Sequence, residues 1–238
     1  MRLSDLREFS AHSPQDSLRF MLFQWRVSRP SYADWADAVE GCIEFSMQQM
    51  SIRKNDIQDM SEDALTALVT SNLSCFGLNA ASARVGGNCD VTVGYDGYIW
   101  LGEAKLFTGV AHVWDGYLQL TTRYNTGLVE HGRGGMLLYC YKDSAGKLLA
   151  EWRAVLAEQL DGICIEDGAR ELTFLSDQSS PATGGNYRVT HFAFPLHHAP
   201  LDGKVKLSAA AMAAGREAKR AFAASEARGV DDQVAAEE

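Results

Sequence analysis

Asp96-Gly97 joins two apolar runs, residues 89–95 (CDVTVGY) and 98–107 (YIWLGEAKLF). Both positions of a type I′ two-residue hairpin loop take positive φ, and Asp-Gly is among the few pairs that accept this without strain. The dipeptide therefore commits the middle of the chain to a tight β-hairpin and sets its register. Tyr95 is expected to face Tyr98, and five steps further from the turn Asp90 is expected to face Glu103. Directly opposed Cβ atoms lie about 4.5–5.5 Å apart. Side chains alternate along a strand, so Lys105 shares the face of Glu103. Two carboxylates and a lysine are thus expected at the open end of the hairpin.

Opposed like charges destabilise a strand pair, so carboxylates kept there need a compensating cation. Two carboxylates suit a hard, oxygen-seeking ion such as Mg²⁺, with Mn²⁺ as a substitute. A lysine beside that ion can orient or deprotonate a water, or neutralise charge developing on a phosphate. These parts together describe hydrolysis of a phosphodiester. The competing reading is an ordinary surface hairpin in which Lys105 pairs with a carboxylate.

The flanks alternate helix and strand. An apolar stretch at residues 16–25 is broken by Pro30, and Ser31 caps a helix in which Trp35, Val39, Cys42, Ile43, Met47 and Met50 recur at helical spacing. Residues 52–59 read as a polar connector. Ser61 caps a further helix carrying Leu65, Leu68, Val69 and Leu73, which stops near Gly77. After the hairpin come a helix at 113–124, a glycine-rich turn at 132–135, a buried strand at 136–141 (MLLYCY) and a helix at 147–160. Late strands at 172–175 and 187–194 flank a loose loop at 177–186. Gly86-Gly87-Asn88 reads equally as a close backbone approach to a ligand or as a plain turn. The order predicts a mixed α/β fold. Residues 1–58 are expected to be a helical region packed on the core, 59–203 the core, and 204–238 a tail rich in alanine and charge. That tail is expected to be an exposed helix from about Ser208 and disordered from Asp231.

Asp90, a gap of twelve residues and Glu103-Ala104-Lys105 resemble the PD-(D/E)xK signature of the restriction-endonuclease-like nucleases. The apolar run at 99–102 (IWLG) is also similar to the family pattern, and the likeness spans about residues 61–141. It implies a restriction-endonuclease-like mixed sheet flanked by helices, with an N-terminal helical extension, and a metal-dependent nuclease. On this resemblance Asp90 and Glu103 would bind Mg²⁺ with the backbone carbonyl of Ala104, and Lys105 would assist the attacking water. Glu62, with Asp63 as rival, matches a glutamate that such enzymes often carry on the preceding helix. Gln119 matches a glutamine on the following helix, and Arg123 lies four residues on, along the same face. Cys89 stands where the pattern often has proline. Gln119 and Tyr124 are five apart, so the Q-x-x-x-Y spacing of the exonuclease-like branch is not met.

The net charge is -9, which argues against a non-specific nucleic-acid binder acting alone. A homodimer or a protein partner is the expected source of DNA affinity. Arg123 and Arg133 are the candidate substrate contacts, with Lys142 beside them. His191, His197 and His198 have no ligand spacing and read as structural or loop residues. Trp100, Trp114 and Tyr117 read as packing. There is no GxSxG and no Walker loop, which excludes the common serine-hydrolase and NTPase designs. Five cysteines without a CxxC fit reduced thiols in a cytoplasm. No apolar run approaches the roughly 20 residues of a membrane helix. The expectation is a cytoplasmic, Mg²⁺-dependent endonuclease acting on DNA, in restriction, phage defence, repair or mobile-element processing. The alternatives are a catalytically silent interaction module, or subunit of a larger complex, and an RNA-cleaving effector.

Overall fold

The computed structural model describes residues 14–25, 27–84, 88–142, 144–180, 183–200 and 208–234. Gly86-Gly87 lies outside them. Seven strands form one mixed sheet in the order β1-β2-β3-β4-β7-β6-β5. They are β1 (Asn79–Arg84), β2 (Asn88–Tyr95), β3 (Tyr98–Leu106), β4 (Arg133–Cys140), β5 (Cys164–Asp167), β6 (Thr173–Ser179) and β7 (Asn186–Pro195). β3, β4 and β7 run parallel, and the other neighbours are antiparallel. The fold is α/β, as the alternation of patterns predicts.

The hairpin turn forms as its dipeptide demands, with φ 45° at Asp96 and 87° at Gly97. The ladder pairs Tyr95 with Tyr98 and continues in step to Val91 and Gly102. Helices cover both faces. On one side lie α1 (Pro14–Gln24), α2 (Tyr32–Ile52) and α3 (Glu62–Cys75). The Ser31 and Ser61 hydroxyls accept the backbone N–H of Asp34 and of Ala64, each at 3.2 Å, and so start α2 and α3. Trp35, Val39 and Ile43 of α2 share one buried cluster with Val69 of α3 and with Trp100 and Phe192 of the sheet. The N-terminal helices thus supply part of the main core rather than an appendage to it. On the other side lie α4 (Val110–Leu118) and α5 (Ala145–Gln159), whose Val113, Tyr117, Trp152 and Leu156 cluster with Leu101, Met136 and Leu138.

Several elements differ from the sequence expectation. β1 and β5 were not foreseen, because their residues (NAASAR and CIED) have little strand character and pair only at the sheet's two edges. The loose loop expected at 177–186 is shortened at both ends: β6 runs to Ser179, β7 starts at Asn186, and Asp177 holds Arg188 across the pair at 2.7 Å. Residues 199–238 form a separate compact unit. Its described part is a single helix, α6 (Ala209–Val234). That helix continues through Asp231, where disorder was expected; residues 235–238 lie outside the described residues. Among the described residues no helix is long and apolar enough to cross a membrane.

Candidate functional site

β3 outruns its neighbour. The β2–β3 ladder ends at Val91–Gly102, one step before Asp90 and Glu103. The cause is a bulge in β2: Thr92 pairs with Ala81 and Cys89 with Ala83, so β2 carries one extra residue over this stretch. The buried Cys89 thiol ties the bulge down, donating to the carbonyls of Val91 at 3.2 Å and Gly102 at 3.3 Å. The expected face-to-face pair of Asp90 and Glu103 is therefore corrected. Asp90 leaves the ladder, and its Oδ2 accepts the backbone N–H of Ala104 at 2.9 Å.

Where the β2–β3 ladder ends, alternate N–H groups of β3 lose their strand partner. Backbone donors must find another acceptor, and carboxylates take the vacated places. Asp90 receives Ala104, and Glu62, from the first turn of α3, receives the N–H of Leu106 at 2.6 Å. Charge-assisted bonds of this kind are the stronger sort. Glu103 and Lys105 rise on the side covered by α4. Lys105 Nζ then joins the group: it lies 2.6 Å from Glu103 Oε1, 3.6 Å from Glu62 Oε1 and 3.9 Å from Asp90 Oδ2. Three of the residues singled out in the sequence converge on the ammonium of a fourth.

The electrostatics follow from burial. Glu103 is 1% exposed, and among the described residues its Oε2 has no hydrogen-bond partner. Burial pushes its carboxyl up to about 7, against the pull of Lys105. Asp90 is also raised, by burial, although the Ala104 N–H opposes this. For Lys105, burial disfavours the charge, but Glu103, Glu62 and Asp90 outweigh it and the net shift is upward. With all groups ionised, three carboxylates against one ammonium leave an excess of two negative charges. A divalent cation would cancel that excess.

The donor set fits Mg²⁺, which binds through one or two carboxylates and keeps several waters. Asp90, Glu103 and the Ala104 carbonyl would hold it, and the partnerless Glu103 oxygen is the observation that asks for a cation or a proton. Among the described residues no three His, Cys, Asp or Glu side chains already stand together at metal-ligand spacing. Lys105 sits between the carboxylates, and Asp90 and Glu62 are turned to the backbone of β3.

Several neighbours complete the site. Gly116 of α4 lies against Lys105: a Cβ there would stand 2.8 Å from Lys105 Cε and 3.3 Å from Glu103 Cγ. His112, in the first turn of α4, places Nε2 3.7 Å from Glu62 Oε2 and is half-exposed. No sequence signal marked it, since the pairing spans fifty residues. Residues Gln119–Tyr124 form a π-helical turn. In that geometry residues five apart stand one turn apart, so Gln119 and Tyr124 are related as the four-residue spacing would relate them in an α-helix. Tyr124 is buried, and burial, then the Glu103 charge, pushes its hydroxyl up to about 12. Gln119 is half-buried and, among the described residues, makes no hydrogen bond to the carboxylates.

The candidate substrate contacts do not gather here. Arg123 is exposed. Arg133 stands three residues before the β4 partner of Glu103, about 10 Å along the strand. Its guanidinium is bound by Glu40 at 2.7 Å and Asp37 at 2.6 Å on α2. Trp100 is buried and donates to Glu40, and Tyr117 is buried beneath α4, so both serve packing. His191 is fully buried between Trp152 Nε1 at 3.0 Å and Ser176 Oγ at 2.9 Å. Because tryptophan only donates, His191 Nδ1 is an acceptor and Nε2 carries the proton; burial lowers its pKa to about 3. No family model, no curated protein and no solved structure matches this chain.

Proposed function

We propose that this chain is a Mg²⁺-dependent endonuclease of the restriction-endonuclease-like kind, acting on DNA. One observation carries the reading: Glu62, Asp90 and Glu103 converge on the Lys105 ammonium beyond the end of the β2–β3 ladder, with one buried Glu103 oxygen left without a hydrogen-bond partner among the described residues. Asp90 and Glu103 hold the cation with the Ala104 carbonyl. When bound, a divalent ion there supplies Lewis-acid stabilisation of the phosphate and acidifies a water. Lys105, kept charged by its three carboxylates, donates to a phosphate oxygen or orients the water. Glu62 holds the Leu106 N–H and so steadies the strand that presents Glu103 and Lys105. All five cysteines are free thiols, which fits work in a reducing cytoplasm.

The test is direct. Purified protein with Mg²⁺ or Mn²⁺ should cut plasmid, linear duplex or single-stranded DNA, with RNA as the comparison. Asp90→Ala and Lys105→Ala should abolish cutting while keeping a cooperative melt. Absence of cutting on every substrate with both metals overturns the proposal. A second reading, end-directed cutting, is favoured by the π-turn that sets Gln119 and Tyr124 one turn apart. Closed circular DNA separates the two, because an end-directed enzyme leaves it intact.

A further inference from the structure

We propose that His112 is a substrate contact of this site: its half-exposed imidazole donates to a phosphate oxygen of the nucleic acid bound at the metal. The inference rests on the nuclease reading and names a group that meets the substrate.

Two separate relationships place His112. Its Nε2 stands 3.7 Å from Glu62 Oε2, and the Lys105 ammonium stands 3.6 Å from the other oxygen of the same carboxylate. Gly116, against which Lys105 lies, follows His112 by four residues in α4, so both lie on one face of that helix. The imidazole therefore stands one turn from the surface that carries the lysine, towards the start of α4. Exposure divides the work between them. The Lys105 side chain is 10% exposed and sits among the carboxylates, whereas that of His112 is 45% exposed and open to an arriving strand.

The charge balance asks for such a donor. Glu62, Asp90, Glu103 and Lys105 with one divalent cation sum to zero. A phosphodiester brings one negative charge, and attack on it by hydroxide adds another, which preorganised donors must meet. Lys105 Nζ is already held by Glu103 at 2.6 Å, and Arg133 is taken by Glu40 and Asp37. His112 is uncommitted. At 3.7 Å its nitrogen is beyond hydrogen-bond reach of Glu62, and among the described residues its ring makes no hydrogen bond. Neutral or protonated, an imidazole keeps an N–H to offer. Pairing with Glu62 alone explains less, since an exposed contact at this distance contributes little. Mg²⁺ prefers oxygen ligands, which leaves the imidazole for the substrate.

The experiment uses the full chain with Ca²⁺, which takes the same oxygen ligands, at one fixed salt concentration. Binding of a labelled DNA duplex and of a labelled single strand is measured for the wild type, His112→Ala and His112→Asn. Loss of a hydrogen bond to a charged phosphate should weaken binding by His112→Ala at least about tenfold. His112→Asn should bind more tightly than His112→Ala, because its amide still donates. Melting temperature, and its rise on adding Ca²⁺, should be the same in all three. Wild-type affinity in His112→Ala overturns the proposal, as does a wild type that binds neither DNA. A smaller Ca²⁺ response in His112→Ala overturns it in favour of a metal ligand, and a lowered melting temperature with unchanged binding in favour of a structural role. Binding through His112 by a protein that cuts nothing with Mg²⁺ or Mn²⁺ would sink the nuclease reading alone. Cutting by the wild type, with unchanged binding in His112→Ala, would sink the His112 contact alone.

Discussion

Gly116 is the surface on which Lys105 lies: a Cβ at that position would come within 2.8 Å of Lys105 Cε and 3.0 Å of its Cγ. The lysine cannot simply swing aside, because Glu103, Glu62 and Asp90 hold its ammonium. Gly116→Ala should therefore move Nζ and spare the fold. Displacements of about 1 Å at a reacting centre cost up to about 10²-fold. A fall in kcat of at least about tenfold is expected, with KM and melting temperature nearly unchanged. Wild-type kcat in this variant would show that Lys105 position is immaterial.

Glu103 predicts a pH signature. Its carboxyl rises from 4.5 to about 7 on folding, through burial. Below the unfolded value both states hold the proton. Between the two values the unfolded chain releases it while the folded chain keeps it. Stability without metal should thus fall as pH climbs from about 4.5 to about 7, then level off. Glu103→Gln should remove that slope in EDTA melts. Metal requires the ionised carboxylate, so the melting-temperature rise on adding Mg²⁺ should be larger at about pH 8 than at about pH 5.5. Equal slopes in wild type and variant would place the titration elsewhere.

Asp90→Asn tests the crowding of like charges. The amide oxygen can still accept the Ala104 N–H, while the carboxylate's repulsion with Glu62 and Glu103 is lost. In EDTA the variant should melt at or above the wild-type temperature. With Mg²⁺ or Mn²⁺ the wild type should gain stability by mass action, and the variant should gain less. Thermal scans across a metal titration read both effects; an identical response to metal would remove Asp90 from the ligand set.

Arg133 belongs to the fold. Its guanidinium bonds Glu40 at 2.7 Å and Asp37 at 2.6 Å, and Glu40 also accepts from Thr190 and Trp100. Burial raises the Glu40 carboxyl, and Arg133 opposes this. Arg133→Ala strands a buried acid, a loss of about 3–5 kcal/mol. Denaturant melts should show that loss, while turnover per folded molecule stays the same. A variant that melts like wild type but binds substrate weakly would restore Arg133 as a phosphate contact.

Local chemistry determined much of this protein. Asp96-Gly97 set the hairpin and its register through five pairs, because turn preference resides in two adjacent residues. Ser31 and Ser61 marked the starts of α2 and α3 for the same reason. The short spacing of Glu103 and Lys105 put both on one side of a strand. What lay beyond that required contacts between segments far apart in the chain. The bulge at Asp90 arises from pairing with β1, whose alanine-rich sequence announces no strand. Glu62 meets Leu106, and His112 meets Glu62, only because α3 and α4 pack against opposite sides of β3. Arg133, read as a loop cation, is drawn to Glu40 ninety-three residues away by the need to pair a buried charge. Adjacent residues carry turns, caps and strand alternation; which carboxylate answers an orphaned N–H is decided only when the layers close.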